Sequence, residues 1–174
     1  MMRRNFILGG VELNKIFLIC GKICSGKTTY AKQLMVKNKA VLLSVDEIML
    51  ALFSQPIGET HDDMQEKTMD YLFKKAAEIN ATGINVVLDW GFYNSYQREY
   101  AKDYFSKRNI LTEWHYICVN DDVWQNSLKT RNDKVKNGQT DSYFIGEKTI
   151  KQFRGFFEEP KPEEIDVWFI NDWA

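Results

Sequence analysis

The chain has 174 residues, 44% of them apolar and 14% aromatic, enough for one domain with a three-layer core and too apolar for a disordered segment. Its formal net charge of −1 gives no global attraction to nucleic acid or to an anionic membrane, which disfavours a long polynucleotide but not a nucleic-acid end. Cys20, Cys24 and Cys118 form no C-x-x-C pair, and His61 and His115 are too isolated to complete a zinc site. No segment has membrane-spanning length, and the apolar run after Arg3 and Arg4 is shorter than a signal-peptide core, so the expected compartment is the reducing cytoplasm.

In chain order, the first apolar β-type run is Lys15–Cys20. It leads into Gly21-Lys22-Ile23-Cys24-Ser25-Gly26-Lys27-Thr28, a complete G-x-x-x-x-G-K-[ST] pattern, and then into a helix-forming stretch over Lys27–Val36. Strand, glycine loop and helix together aim backbone N–H groups and a helix N-terminus at a polyphosphate. Gly21 and Gly26 permit close backbone approach, Lys27 places a positive charge near the β- and γ-phosphates, and the Thr28 hydroxyl suits Mg²⁺. The pattern therefore predicts a nucleoside triphosphate site over Gly21–Thr29, with ATP and Mg²⁺ as ligands.

Further strands are expected at Ala40–Val45, Ile84–Leu88, Trp114–Val119 and Val167–Ile170. Helical patterns separate them at Asp46–Phe53, Asp62–Asn80, Ser95–Arg108 and Asp121–Arg131, the second with Met64, Thr68, Leu72, Ala76 and Ile79 on one stripe. Asn94 with Gln97 reads as a helix start. Apolar strands joined by helical crossovers predict a parallel sheet covered on both faces. The polar segment Lys134–Tyr143 suits a lid ahead of a last helix near Phe144–Phe157, and no linker or repeat divides residues 1–174.

The strand Ile84–Leu88 ends in Asp89, a pattern in which the carboxylate holds Mg²⁺ directly or through water; a contact with the phosphoryl acceptor is the alternative. Trp90, Phe92 and Tyr93 follow at the same edge and would either wall an acceptor pocket or simply pack. His115, among Trp114, Tyr116 and Ile117, reads as a core or edge histidine.

Gly21–Thr29, Ser44-Val45-Asp46, Val86–Asp89, Leu128–Asn132 and Phe156–Pro160 occur in the order found in small P-loop kinases. The chain resembles the branch that includes zeta-toxin-like, chloramphenicol phosphotransferase-like and polynucleotide 5′-hydroxyl kinase-like proteins. That resemblance implies an α/β three-layer fold with a five-stranded parallel sheet of order 2-3-1-4-5 and a small lid at about 132–143. It also implies ATP-dependent phosphoryl transfer to a hydroxyl of a small molecule or nucleotide end.

By that resemblance Asp46 orients the acceptor hydroxyl and takes its proton; the alternative is a helix N-cap, with Glu47 a neighbouring competitor. Arg131 would supply lid charge over the transferred group and stack near adenine, or lie on a solvated face, with Lys134 and Lys136 as weaker helpers. Arg98 would meet the acceptor or its phosphate, or be exposed to solvent. Phe156-Phe157-Glu158-Glu159-Pro160 reads as a structural helix end, and Phe53–Asp63 as part of the acceptor site.

Two other classes compete. A GTPase switch would need an N-K-x-D element, and Asn38-Lys39-Ala40-Val41 lacks the aspartate. A nucleotide-binding ATPase, or a toxin-like regulatory protein with no small-molecule acceptor, would share the loop but not the transfer. The sequence leaves the acceptor and the oligomeric state open.

Overall fold

A computed structural model of the protein describes residues 7–8, 11–53, 60–140 and 142–172. A two-residue antiparallel pair, β1 (Ile7–Leu8) and β2 (Val11–Glu12), precedes the main sheet. The main sheet contains β3 (Lys15–Gly21), β4 (Val41–Ser44), β5 (Val86–Asp89), β6 (Leu111–Val119) and β7 (Val167–Asn171). All four pairings are parallel and the spatial order is β4-β5-β3-β6-β7. Counting these five strands along the chain, that is the expected 2-3-1-4-5.

The connections are helical: α1 (Lys27–Asn38), α2 (Val45–Leu52), α3 (His61–Ala81), α4 (Ser95–Ser106), α5 (Asp121–Lys136) and α6 (Glu147–Phe156). β3 lies between β5 and β6 and is buried from Ile16 onward, so its side chains alternate between two apolar layers. Ile16, Leu18 and Cys20 join Met49, Met69, Leu72, Phe73, Ala76, Ala101 and Phe105 on one face. Phe17, Ile19, Val87 and Ile117 pack on Ala31 and Leu34 of α1 on the other. A third cluster, Val119, Trp124, Leu128 and Ile145, lies against Ile23 and Cys24 of the glycine loop.

Several boundaries differ from the sequence reading. β4 stops at Ser44 because Ser44 caps α2, its Oγ accepting from the Glu47 N–H at 3.3 Å. α5 continues through Lys136, beyond the expected Arg131, so the first part of the 132–143 segment is helix. The Asn132 side chain then pins the following segment, donating to the Ile145 carbonyl and accepting from its N–H. Of the proposed acceptor segment Phe53–Asp63, residues 54–59 lie outside the described residues. At the 156–160 motif Phe157 packs on the core and stacks on Phe153, while Phe156 is 43% exposed and meets Tyr93 edge-on. The motif is structural, as expected: the Glu158 N–H donates to the Tyr93 carbonyl, and the Glu158 carboxylate accepts from the Ser95 N–H.

Candidate active site

The glycine loop, Asp46 and Asp89 share a position for one geometric reason: parallel strands put their C-terminal ends, and the N-termini of the following helices, along a single edge. β3 ends at Gly21, where an added Cβ would lie 2.7 Å from the Ile117 carbonyl oxygen, so only glycine fits beside β6. The loop then turns through Cys24, at φ 56°, and Gly26, at φ 91°, to deliver its amides to the start of α1. Two distant side chains hold it in place. Trp124 Nε1 donates to the Ile23 carbonyl at 2.7 Å, and Asn171 Nδ2 to the Ser25 carbonyl at 2.9 Å. The Ser25 hydroxyl is fully buried and has no hydrogen-bond partner among the described residues, which fits a loop shaped to receive polar atoms of a ligand.

Lys27 is 9% exposed and donates to the Gly21 and Lys22 carbonyls at 3.0 and 2.6 Å. Its ammonium lies 5.4 Å from the Tyr93 ring centroid. Burial lowers its pKa, opposed by the charges of Asp89 and Asp46. Asp89, at the end of β5, is 5% exposed; burial raises its pKa, while Lys27 and a hydrogen bond from the Thr28 hydroxyl pull it down. The loop lysine, the loop threonine and the strand-terminal acid therefore form one electrostatic unit.

Asp46 is exposed on the first turn of α2. The capping alternative is corrected here: Ser44 caps the helix, and Asp46 has no hydrogen bond or ion pair among the described residues. Its field still reaches Lys27, Asp89, Tyr93 and Tyr143, so it faces the same space.

Arg131 is half-buried. Its Nη1 reaches Cys24 Sγ at 3.9 Å and its Nη2 the Tyr143 carbonyl at 3.5 Å, while the buried Nε has no partner among the described residues. The structure thus brings Arg131 to the glycine loop rather than to a solvated face. Lys134 is exposed, and Lys136 stands over the Phe144 ring.

Arg98 needs correction. It is not in solvent but 3% exposed inside the fold, its guanidinium bonded to protein acceptors. Its Nε donates to Glu164 at 2.9 Å and its Nη1 to the Phe92 and Glu158 carbonyls at 3.2 and 3.0 Å. This arginine fastens the turn after β5 to the segment ahead of β7.

In that turn Trp90 is half-buried and meets Phe92 edge-on at 5.3 Å; Phe92, at φ 47°, is fully buried. Tyr93 packs on Phe153 and Phe156. His115 is an internal histidine, bonded to Tyr30 and Glu113.

Sequence reasoning missed Trp124, Asn171 and Tyr143. Asn171 ends the last strand and the edge rule could have found it; nothing local marks Trp124. Tyr143 donates to the Phe53 carbonyl at 3.0 Å, linking the segment after α5 to the end of α2.

A family model described as an AAA domain matches residues 16–160. The chain belongs to that family. This AAA-domain protein matches none of the curated proteins. Among solved structures it is similar to a kinase candidate from Chloroflexus aurantiacus J-10-fl, at 15% identity, TM-score 0.69, over 91% of this chain and 85% of that one. It is likewise similar to Chaetomium thermophilum Kti12 in complex with ADP-AlF3, at 14% identity, TM-score 0.68, over 92% and 90%. Mycobacterium tuberculosis APS kinase CysC in complex with AMPPNP and APS aligns at 15% identity, TM-score 0.64, over 92% and 90%. These likenesses show the fold, a P-loop kinase fold. Among the described residues no helix is long and apolar enough to cross a membrane.

Proposed function

We propose that this AAA-domain protein is an ATP-dependent kinase that moves the γ-phosphoryl group to an alcohol. The observation that carries the reading is Asp46. It is an exposed carboxylate relieved of capping duty, on the edge that also holds Lys27 and Asp89, with which it interacts electrostatically.

Transfer joins the acceptor oxygen to the γ-phosphorus and breaks its bond to the β–γ bridging oxygen, releasing ADP; the hydroxyl proton passes to the Asp46 carboxylate. Lys27, with two donors anchored on loop carbonyls, keeps its charge fixed beside the phosphates at little reorganisation cost. Arg131, held at the loop beside Cys24, adds a planar fork of donors for the transferring group. The backbone of Lys22, Ile23, Cys24, Ser25, Gly26, Thr28 and Thr29 cradles the phosphate tail.

Thr28 and Asp89 fit Mg²⁺, which typically takes one or two protein oxygens and completes its shell with phosphates and water. When bound, the ion would neutralise charge developing on the phosphates. We place the work in the cytoplasm, on ATP and a hydroxyl-bearing acceptor.

The test is radiolabelled γ-phosphate transfer over a mixed hydroxyl library, run beside magnesium-ATP calorimetry. Asp46→Asn is expected to lose transfer by about 10²-fold or more with nucleotide affinity unchanged. Full transfer by Asp46→Asn would refute the proton-acceptor role. Rapid hydrolysis with no acceptor present would instead favour a nucleotide-driven switch or motor.

A further inference from the structure

Beside Trp90, the residue after Asp89, a cleft of ≈ 240 Å³ opens between α3, the β5–α4 turn and α4. Its walls carry Glu66, Asp70, Trp90, Tyr96, Gln97 and Tyr100, and no lysine, arginine or histidine lines it. We propose that this cleft seats the cationic part of the acceptor: an alcohol that also bears an ammonium group. The proposal rests on the kinase reading and narrows its substrate class.

Three features support it. Glu66 and Asp70 are four residues apart on one helix, a like-charge spacing that costs helix stability unless a cation relieves it. Asp63 and Glu78 on the same helix pair with Lys67 and Lys75, whereas neither Glu66 nor Asp70 forms an ion pair among the described residues. Second, the wall is aromatic and its rings contact one another. Tyr100 stacks between Phe73 at 6.1 Å and Tyr96 at 6.4 Å, and its hydroxyl donates to Asp70 at 3.0 Å. Rings backed by carboxylates attract an ammonium through the ring quadrupole and through charge. Third, Trp90 joins the cleft to the reacting edge, because Asp89 pairs in register with Ser44, two residues before Asp46. A phosphorylated or sulfated acceptor would meet only like charge here.

Choline and its neutral isostere 3,3-dimethylbutan-1-ol separate charge from shape. Choline should shift the indole N–H resonance of Trp90 in the full chain, and the isostere should not. In the E66Q/D70N variant choline binding should weaken at least tenfold while magnesium-ATP binding is unchanged. That variant removes a like-charge pair from a helix surface, so its folding is not at risk.

Equal shifts from both alcohols, no choline shift at all, or undiminished choline binding by E66Q/D70N would each overturn the proposal. Lys27→Ala should keep the choline response. Phosphoryl transfer to uncharged alcohols but to no ammonium alcohol would overturn the proposal and leave the kinase reading standing, whereas transfer to no alcohol at all would overturn the kinase reading.

Discussion

Replacing Arg98 by methionine separates the two roles open to this residue. Methionine preserves much of the buried volume but removes donors to Glu164 and to the Phe92 and Glu158 carbonyls. Breaking a buried charge pair from one side costs about 3–5 kcal/mol, and each stranded carbonyl about 1–3 kcal/mol, terms that overlap. The Glu164 side chain is 23% exposed, so water recovers part of the loss and the low end, about 3 kcal/mol, applies. For a chain of this size that lowers the thermal midpoint by about 9 °C.

The same variant carries a pH signature. The Glu164 carboxyl lies below its ordinary value; burial pushes it up, and hydrogen bonds from Arg98 and the Lys161 N–H, with the Arg98 charge, outweigh that. A depressed carboxyl stabilises the fold above its unfolded pKa of about 4.3 and loses that contribution as pH falls through the folded value. The stability gap between wild type and Arg98→Met, measured by urea unfolding, should therefore narrow in acid. A variant that unfolds at the wild-type midpoint but shows a raised acceptor KM would refute the reasoning and return Arg98 to the substrate.

Three further outcomes are expected. Gly21→Ala would drive a methyl against the Ile117 carbonyl, so calorimetry should detect no magnesium-ATP binding and unfolding should come about 1–3 kcal/mol earlier. Glu113 is held at about 2 by hydrogen bonds from His115 and Lys15, which prevail over its burial. Its contribution to stability is full above about 4.3 and fades as pH drops toward 2, so Glu113→Gln should flatten the acid limb of a stability–pH profile. Burial pushes the Cys20 thiol up to about 12, so iodoacetamide at mildly alkaline pH should leave Cys20 unmodified in the folded protein and label it after denaturation.

The glycine loop and the acid after β5 were readable in the sequence because both are local. Gly21 to Thr28 spans eight consecutive residues, and Asp89 ends an uninterrupted apolar strand. The sheet order followed from the family resemblance and agrees with the register of β3 against β5 and β6. Asp46 was half-readable: its place beyond a strand was clear, but whether it capped α2 depended on where the helix began, and Ser44 decided that.

The chain's own order of residues determined that a phosphate-type loop would sit between a buried strand and a helix, since glycine freedom and apolar alternation act over a few neighbouring positions. Tertiary structure alone decided what holds that loop and where Arg98 is bonded. Asn171 meets Ser25 from 146 residues away, Trp124 meets Ile23 from 101, and Arg98 finds Glu164 at a separation of 66. Side-chain hydrogen bonds of that kind carry no periodic signature along the sequence. They are settled only when sheet packing brings the strand ends to one edge and burial makes every unsatisfied donor costly.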